Sequence, residues 1–160
     1  MSMGGFGAAK LGLKYSHLFQ SISSQSGLLD IELLSDKWML KMVLPEFLEV
    51  FGRLETQKLP PGSSLDLKHI QSNNPVSLLK QKGIERLPHS VYFDYGEKEW
   101  YPWILEGNKN FEKALSERSH QIPIQPFNGN SGHNYQFWRS RSGNILRHHS
   151  DVFQRIKGER

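Results

Sequence analysis

Hydrophobic and polar residues follow one another along the chain in blocks of two kinds, which predict helices interleaved with strands. The segment SVYFDY over 90–95 is the strongest strand signal, because it combines β-branched and aromatic residues. Alternation in LFQSISS favours a second short strand over 18–24, and IPIQPF favours a third over 122–127. Apolar residues at helical spacing predict helices over 8–15, 36–51, 76–82, 108–119 and 135–156.

Proline and glycine mark where these elements should begin, bend or end. Pro45 should kink or split its helix, because proline removes a backbone donor and clashes with the preceding turn. Asn74-Pro75 is typical of a helix start, and Gly143 is expected to interrupt the C-terminal helix. Loops are predicted over 52–66 and 128–132.

The order of these elements predicts an α/β fold. Strands that alternate with helices favour a parallel sheet flanked by helices. A chain of 160 residues corresponds to one domain, and no segment is long enough to be a linker between two. We therefore expect a single domain over 1–160.

Composition and charge exclude several classes of function. The 20 basic and 16 acidic residues are scattered, so the formal charge of +4 does not favour nucleic acid as a partner. The chain has no cysteine and therefore no disulfide or thiol chemistry. It also lacks an apolar run of the roughly 20 residues that span a bilayer, and its N-terminus lacks signal-peptide features. We expect a cytoplasmic protein that does not bind membranes.

The first residues resemble a known catalytic motif. Met1, Ser2, Met3 and Gly4 match the last four positions of a G-x-S-x-G nucleophile elbow, and Gly5 keeps the following turn free of bulk. The elbow is a sharp strand-to-helix turn that holds a serine hydroxyl out of the backbone. By itself the motif is weak, since a glycine-rich start with one serine also describes a flexible terminus or a cloning remnant.

An acid and a histidine follow this serine in the order that the elbow requires. In an α/β-hydrolase the chain order is serine, acid, histidine, each on a loop after a strand. Asp94, Glu97 and Glu99 lie at or after the end of the SVYFDY strand, and His133 follows the third strand. All of these residues should meet at the carboxyl edge of a parallel sheet.

With these motifs the chain resembles the C-terminal half of the esterase D-like α/β-hydrolases, which include S-formylglutathione hydrolases and feruloyl esterases. The segment SMGGFGAAKLGLKYSHLFQSISSQSG resembles the family's elbow, helix and next strand, VYFDYGEKE its acid loop, and GHNYQFW its histidine loop. The resemblance covers roughly Ser2 to Phe153. It implies an α/β-hydrolase fold that is incomplete, lacking the strands before the elbow.

The resemblance also implies roles for single residues. Ser2 matches the nucleophile, His133 the general base, and the backbone N–H of Met3 one oxyanion donor. Glu99 stands where the family usually has Asp, so Asp94 and Glu97 remain alternative acids. The implied function is a carboxylic-ester hydrolase that forms an acyl-enzyme, with a small ester or thioester as substrate and no cofactor.

The same resemblance implies a truncated enzyme with weak or no activity alone, because a second oxyanion donor normally precedes the nucleophile. The strand over 18–24 would then expose an edge that could pair with another copy of the chain. Two alternatives remain: a non-catalytic remnant that acts through this edge, and an N-terminal nucleophile in which Ser2 uses its own amine as base.

The remaining aromatic and histidine residues are given structural interpretations. Trp100, Trp103 and Trp138 are expected in the core or in a pocket wall, and Trp100 and Trp103 could line the acyl or alcohol pocket. His148 and His149 are expected on a solvated face of the C-terminal helix, with no metal site. The basic residues of that helix could contact phosphates, but a solvated face explains them equally well.

Overall fold

A computed structural model describes residues 1–35, 67–81, 90–118, 124–129 and 132–158. Its helices and strands alternate as the hydrophobic pattern predicts. The helix predicted over 36–51 and the loop over 52–66 lie outside the described residues. The elements are α1 Ser2–Lys14, β1 Ser21–Gln25, a 3₁₀ turn Ile31–Ser35, α2 Leu67–Gln71, α3 Pro75–Lys80, β2 Ser90–Gly96, α4 Pro102–Ser116, β3 Ile124–Gly129 and α5 Tyr135–Gly158.

The strands form a three-stranded parallel sheet in the order β1-β2-β3. All three therefore direct their carboxyl ends to one edge. Within the described part of the chain, β1 has a neighbouring strand on one side only. The α/β class and the parallel sheet are as the sequence predicts.

The two faces of the sheet differ in chemistry, as the strand period of two allows. Val91, Phe93 and Tyr95 of β2 belong to the apolar core that the sheet shares with α1, α3 and α4. The intervening residues face α5: the Tyr92 ring contacts His148, and Asp94 contacts Arg141. The sheet thus lies between a layer of helices on an apolar face and α5 on a polar face.

Several element boundaries differ from the sequence prediction. Helix α1 begins at Ser2, so the elbow motif lies in its first turn. Helix α4 begins at Pro102, where proline is tolerated because the first turn needs no internal donor. The predicted break near Gly143 is wrong, because α5 is continuous from Tyr135 to Gly158 and a single glycine in a helix is tolerated at a modest cost.

Candidate active site

Ser2 occupies a strained turn at the N-terminus of α1. Its φ of 49° lies in the left-handed region, which L-residues rarely adopt. Ser26, directly after β1, is the other residue besides glycine with a positive φ in the described part of the chain. Strain of this kind persists where the surrounding structure fixes it, and it concentrates at functional sites.

A close approach of two backbones fixes the turn at Ser2. A Cβ added to Gly5 would lie 2.7 Å from Ser24 Oγ and 3.2 Å from both Gln25 O and Gly27 Cα. The turn after β1 therefore packs directly against the first turn of α1, which only glycine permits. Gly4 is different, because no atom lies within 4 Å of the Cβ it would carry. Of the two elbow glycines, Gly5 is the one that the packing requires.

The loop before α5 carries His133 to the same edge of the sheet. Gly132 lets this loop approach the loop after β2, since a Cβ at that position would lie 2.7 Å from Lys98 O. Asn134 then starts α5, with its Oδ1 accepting a hydrogen bond of 2.9 Å from Phe137 N. A close backbone contact on one side and a helix cap on the other thus fix the position of His133.

Ser2, His133 and Glu99 form a continuous chain of hydrogen bonds. His133 Nε2 lies 3.0 Å from Ser2 Oγ, and His133 Nδ1 lies 2.9 Å from Glu99 Oε2. An ionised carboxylate can only accept, so Nδ1 carries the proton and Nε2 is left to accept from the serine hydroxyl. In this tautomer the imidazole can take the serine proton.

Glu99 reaches His133 from the turn that follows β2. Its side chain is completely buried, and its other oxygen accepts a hydrogen bond of 3.3 Å from Gly96 N. Both carboxylate oxygens therefore have donors. The Glu99 side chain is long enough to reach both His133 Nδ1 and Gly96 N from this turn.

The two alternative acids are placed differently. Asp94 is buried inside the polar face of the sheet, where Tyr92 donates a 2.8 Å hydrogen bond to it and Arg141 Nε lies 3.7 Å away. Burial raises the pKa of Asp94, and the Tyr92 hydrogen bond and Arg141 oppose this shift. Glu97 is exposed to solvent. Of the three acids, the structure brings Glu99 to His133.

Aromatic side chains surround the imidazole of His133. The ring centroid of Trp138 lies 4.8 Å from that of His133, with an angle of 88° between the ring planes. For Tyr101 the distance is 5.7 Å and the angle 83°. Trp100 is 72% exposed next to Gly132, at the rim of the site. Trp103 is buried in a core cluster with Leu34 and Ile104, which is the first of the two places expected for it.

The first turn of α1 also provides backbone donors. Gly5 is the first residue of the helix with an acceptor four residues back, Met1 O at 3.1 Å. The N–H groups before it, including that of Met3, have no acceptor within the helix, as at any helix N-terminus. They are adjacent to the Ser2 hydroxyl in sequence, where an oxyanion would form.

The interpretation of His148 and His149 as a solvated pair is wrong. His148 is buried against Tyr92, and burial lowers its pKa to about 4. His149 lies between two serines of β1, with its Nδ1 2.6 Å from Ser21 Oγ and its Nε2 3.0 Å from Ser23 Oγ. The error arises because the polar face of β1 accepts polar side chains from α5, which helical periodicity alone does not show.

Tyr101 and Gln25 lie around the site without having been singled out from the sequence. Gln25 donates a 3.2 Å hydrogen bond to the backbone carbonyl of Trp138, in the first turns of α5. Its position at the end of a predicted strand was a usable signal, since that edge carries the site. Tyr101 had no such signal, because its contact with His133 depends on how two loops meet.

Among the described residues, no three His, Cys, Asp or Glu side chains come together in a way that could hold a metal ion. No helix within the same residues has the length and apolarity that a membrane span requires.

A parallel sheet between helical layers, with a strained serine, a histidine and an acid at its carboxyl edge, defines the chain as an α/β-hydrolase. The family model described as "Esterase: Putative esterase" matches residues 1–149, and the chain belongs to this family. No curated protein matches the chain in sequence.

Solved structures support the same fold. A ferulic acid esterase is 21% identical to this chain with a TM-score of 0.63, and the match covers 95% of this chain and 49% of the esterase. An S-formylglutathione hydrolase from Agrobacterium tumefaciens is 21% identical with a TM-score of 0.63, covering 94% and 47%. The fluorophosphonate-binding serine hydrolase F of Staphylococcus aureus is 20% identical with a TM-score of 0.61, covering 94% and 51%. The chain thus spans about half the length of these proteins.

Proposed function

We propose that the protein is a serine carboxylic-ester hydrolase that acts through an acyl-enzyme. The observation that carries this proposal is the hydrogen-bonded chain from Ser2 Oγ through His133 to Glu99, with distances of 3.0 and 2.9 Å. Membership of the esterase family supports the same reaction class. The N-terminal-nucleophile alternative would not require His133 to contact Ser2.

The proposed mechanism assigns each group one task. Ser2 Oγ attacks the ester carbonyl while His133 Nε2 takes the hydroxyl proton, and Glu99 stabilises the resulting imidazolium. The N–H of Met3 donates to the oxyanion of the tetrahedral intermediate. His133 then gives its proton to the departing alcohol, or thiol for a thioester, and the acyl group stays on Ser2. Water then attacks the acyl carbonyl while His133 Nε2 takes its proton. The bond to Ser2 Oγ breaks, Ser2 Oγ receives that proton, and the acid is released.

The activity of the chain alone is expected to be weak. Each oxyanion donor contributes roughly 3–4 kcal/mol to barrier lowering, and Met3 is the donor we assign among the described residues. The similar solved structures are about twice as long. We propose a small ester or thioester substrate and a cytoplasmic location. Neither a cofactor nor nucleic acid is part of this proposal.

The test is covalent labelling of the purified chain with a fluorophosphonate, with the modified residue read by mass spectrometry. The absence of cysteine removes the main competing nucleophile. We expect modification at Ser2, loss of the label in Ser2→Ala, and a rate at least about a hundredfold lower in His133→Ala. Ser150→Ala, an exposed serine of α5, is the matched control. A folded chain that is labelled equally fast without His133 would contradict the proposal.

The second candidate is a non-catalytic remnant that interacts through the edge of β1. This strand has one neighbour among the described residues. The same labelling experiment separates the two candidates, because a remnant would stay unmodified at Ser2 while remaining folded.

A further inference from the structure

The two hydrogen bonds of His133 do not by themselves fix its ring. They join Nδ1 to Glu99 and Nε2 to Ser2, so both act close to one line through the imidazole. Rotation about that line would keep both bonds roughly intact while tilting the ring. The bond between Nε2 and Ser2 also depends on the serine proton, which is lost once Ser2 is acylated.

Two aromatic rings pack against the imidazole and restrict its tilt. Trp138 and Tyr101 stand almost perpendicular to it, at 88° and 83°. Their centroid distances of 4.8 and 5.7 Å lie in the range of edge-to-face contact between rings. The His133 side chain is consequently only 11% exposed.

Each of these rings is anchored to a different part of the fold. Trp138 lies in α5, and Gln25 at the end of β1 donates to its carbonyl at 3.2 Å. Tyr101 precedes α4, and its ring packs 5.2 Å from Trp103, which is buried in the core. The imidazole is therefore held between two rings that come from different elements, α5 and the segment before α4.

We propose that Tyr101 and Trp138 are positioning residues that keep the His133 imidazole aligned between Ser2 and Glu99. The role rests on the proposed function, because it matters to the reaction only if His133 transfers the serine proton. It is needed most when Ser2 is acylated, since Glu99 is then the only one of the two hydrogen-bond partners left. Neither ring touches the reacting atoms in this role.

The test compares variants that keep an aromatic ring with variants that remove it. Tyr101→Phe and Trp138→Phe keep a ring at each position, whereas Tyr101→Leu and Trp138→Leu remove it. Tyr101 is 39% exposed and its side chain makes no helix-cap hydrogen bond, so Tyr101→Leu should fold normally. Phe19→Leu, an exposed aromatic before β1, is the matched control.

Two readouts are measured on each variant, together with its unfolding temperature. The first is the rate of fluorophosphonate labelling at Ser2. The second is the proton NMR signal of His133 Nδ1–H in protein carrying ¹⁵N-histidine, which reports the alignment with Glu99 without requiring any reaction. We expect each Leu variant to lose about tenfold or more in labelling rate and to broaden or lose the signal. Each Phe variant should keep the signal and most of the rate.

The outcomes separate this inference from the proposed function. A wild-type chain that shows the Nδ1–H signal but no labelling would reject the esterase proposal, and loss of the signal in the Leu variants would still support positioning. Leu variants that fold, label and show the signal as the wild type does would overturn the positioning role alone. A wild-type chain without the signal would overturn it as well.

Discussion

At the scale of single residues, two neighbouring glycines of the elbow motif serve different purposes. Gly5 meets the backbone of the turn after β1, whereas the Cβ of an alanine at position 4 would meet no atom. Sequence patterns treat them alike, because a glycine in a motif does not show which of its neighbours is close. The contact with Gly27 becomes visible only when the turn after β1 is placed.

The first prediction compares Gly5→Ala with Gly4→Ala. Gly5→Ala should lower the free energy of unfolding by about 1–3 kcal/mol, because the added methyl overlaps Ser24 and the Gln25 carbonyl. Gly4→Ala should leave it unchanged or raise it slightly, since alanine is a better helix former. Urea unfolding of both variants measures this difference. Equal destabilisation by Gly5→Ala and Gly4→Ala would contradict the close packing of Gly5 against the turn after β1.

A second prediction concerns Gly132, which allows the histidine loop to approach the acid loop. Gly132→Ala places a methyl only 2.7 Å from Lys98 O and should push His133 away from Glu99. We expect the labelling rate of Ser2 to fall about tenfold or more, whereas the unfolding temperature should change little. A variant that labels at the wild-type rate would contradict the importance of this approach.

At the scale of elements, β2 is the part of the fold that could be predicted best. Its combination of aromatic and β-branched residues favours a strand, and all its residues are buried. The start of α1, the short helix Leu67–Gln71 and the continuity of α5 could not be predicted with the same rules. Glycine and turn signals give local preferences, which packing overrides.

The order of serine, acid and histidine was equally informative for the site, because parallel strands bring successive loops to one edge. The choice among Asp94, Glu97 and Glu99 was open from sequence, since it depends on the direction of one turn. The polar contacts of α5 with β1 were not predictable either. They join residues more than 100 positions apart, Ser21 with His149 and Gln25 with Trp138.

Helix α5 provides the third prediction, which concerns its continuity. Gly143→Ala should raise the free energy of unfolding by about 0.5–1 kcal/mol, because an exposed glycine inside a helix costs about that much and its Cβ would meet open space. Thermal unfolding of the variant measures the change. A lower stability would indicate that the helix is broken at this position after all.

The polar contact of α5 with the sheet makes stability depend on pH, which is the fourth prediction. Burial, together with the neighbouring His149 and Arg155, lowers the pKa of His148 to about 4, from an ordinary value of 6.5. Burial also lowers the pKa of His149. Between about pH 4 and pH 6.5, His148 binds a proton in the unfolded chain but not in the folded chain. Stability therefore falls as the pH drops from about 6.5 to about 4.

The variant His148→Leu should flatten this part of the pH profile of unfolding, by about 1–3 kcal/mol over the window. The raised pKa of Asp94 acts in the opposite direction, and the comparison of variant with wild type removes its contribution. His17→Gln, an exposed histidine, is the control. Identical pH slopes in wild type and His148→Leu would contradict the burial of His148.

At the scale of the whole molecule, an apolar surface lies next to β1, the strand with one neighbour among the described residues. Leu146 and Phe153 are 71% and 51% exposed. They stand three residues before and four after His149, so they share its side of α5, and His149 contacts β1. From the sequence we expect this edge to pair with another copy of the chain, and an exposed apolar surface beside it is compatible with such a contact.

The fifth prediction concerns the expectation from the sequence that two copies of the chain pair through this edge. Leu146→Lys combined with Phe153→Lys should shift the chain toward monomer, because charges at an apolar contact oppose association. Sedimentation velocity at several concentrations measures the change. A wild-type chain that is monomeric throughout, or a variant that associates equally, would remove the oligomer from the account.

The central claim is that Ser2, His133 and Glu99 act as one unit. A double-mutant cycle on the rate of fluorophosphonate labelling at Ser2 tests it most directly, with Glu99→Gln, His133→Ala and the double variant. Residues that act together are strongly non-additive, so the double variant should label no slower than His133→Ala alone, and both single variants should label at least about a hundredfold slower than the wild type. The claim would be contradicted by a double variant whose loss of rate is the product of the two single losses. It would also be contradicted by a Glu99→Gln variant that labels as fast as the wild type.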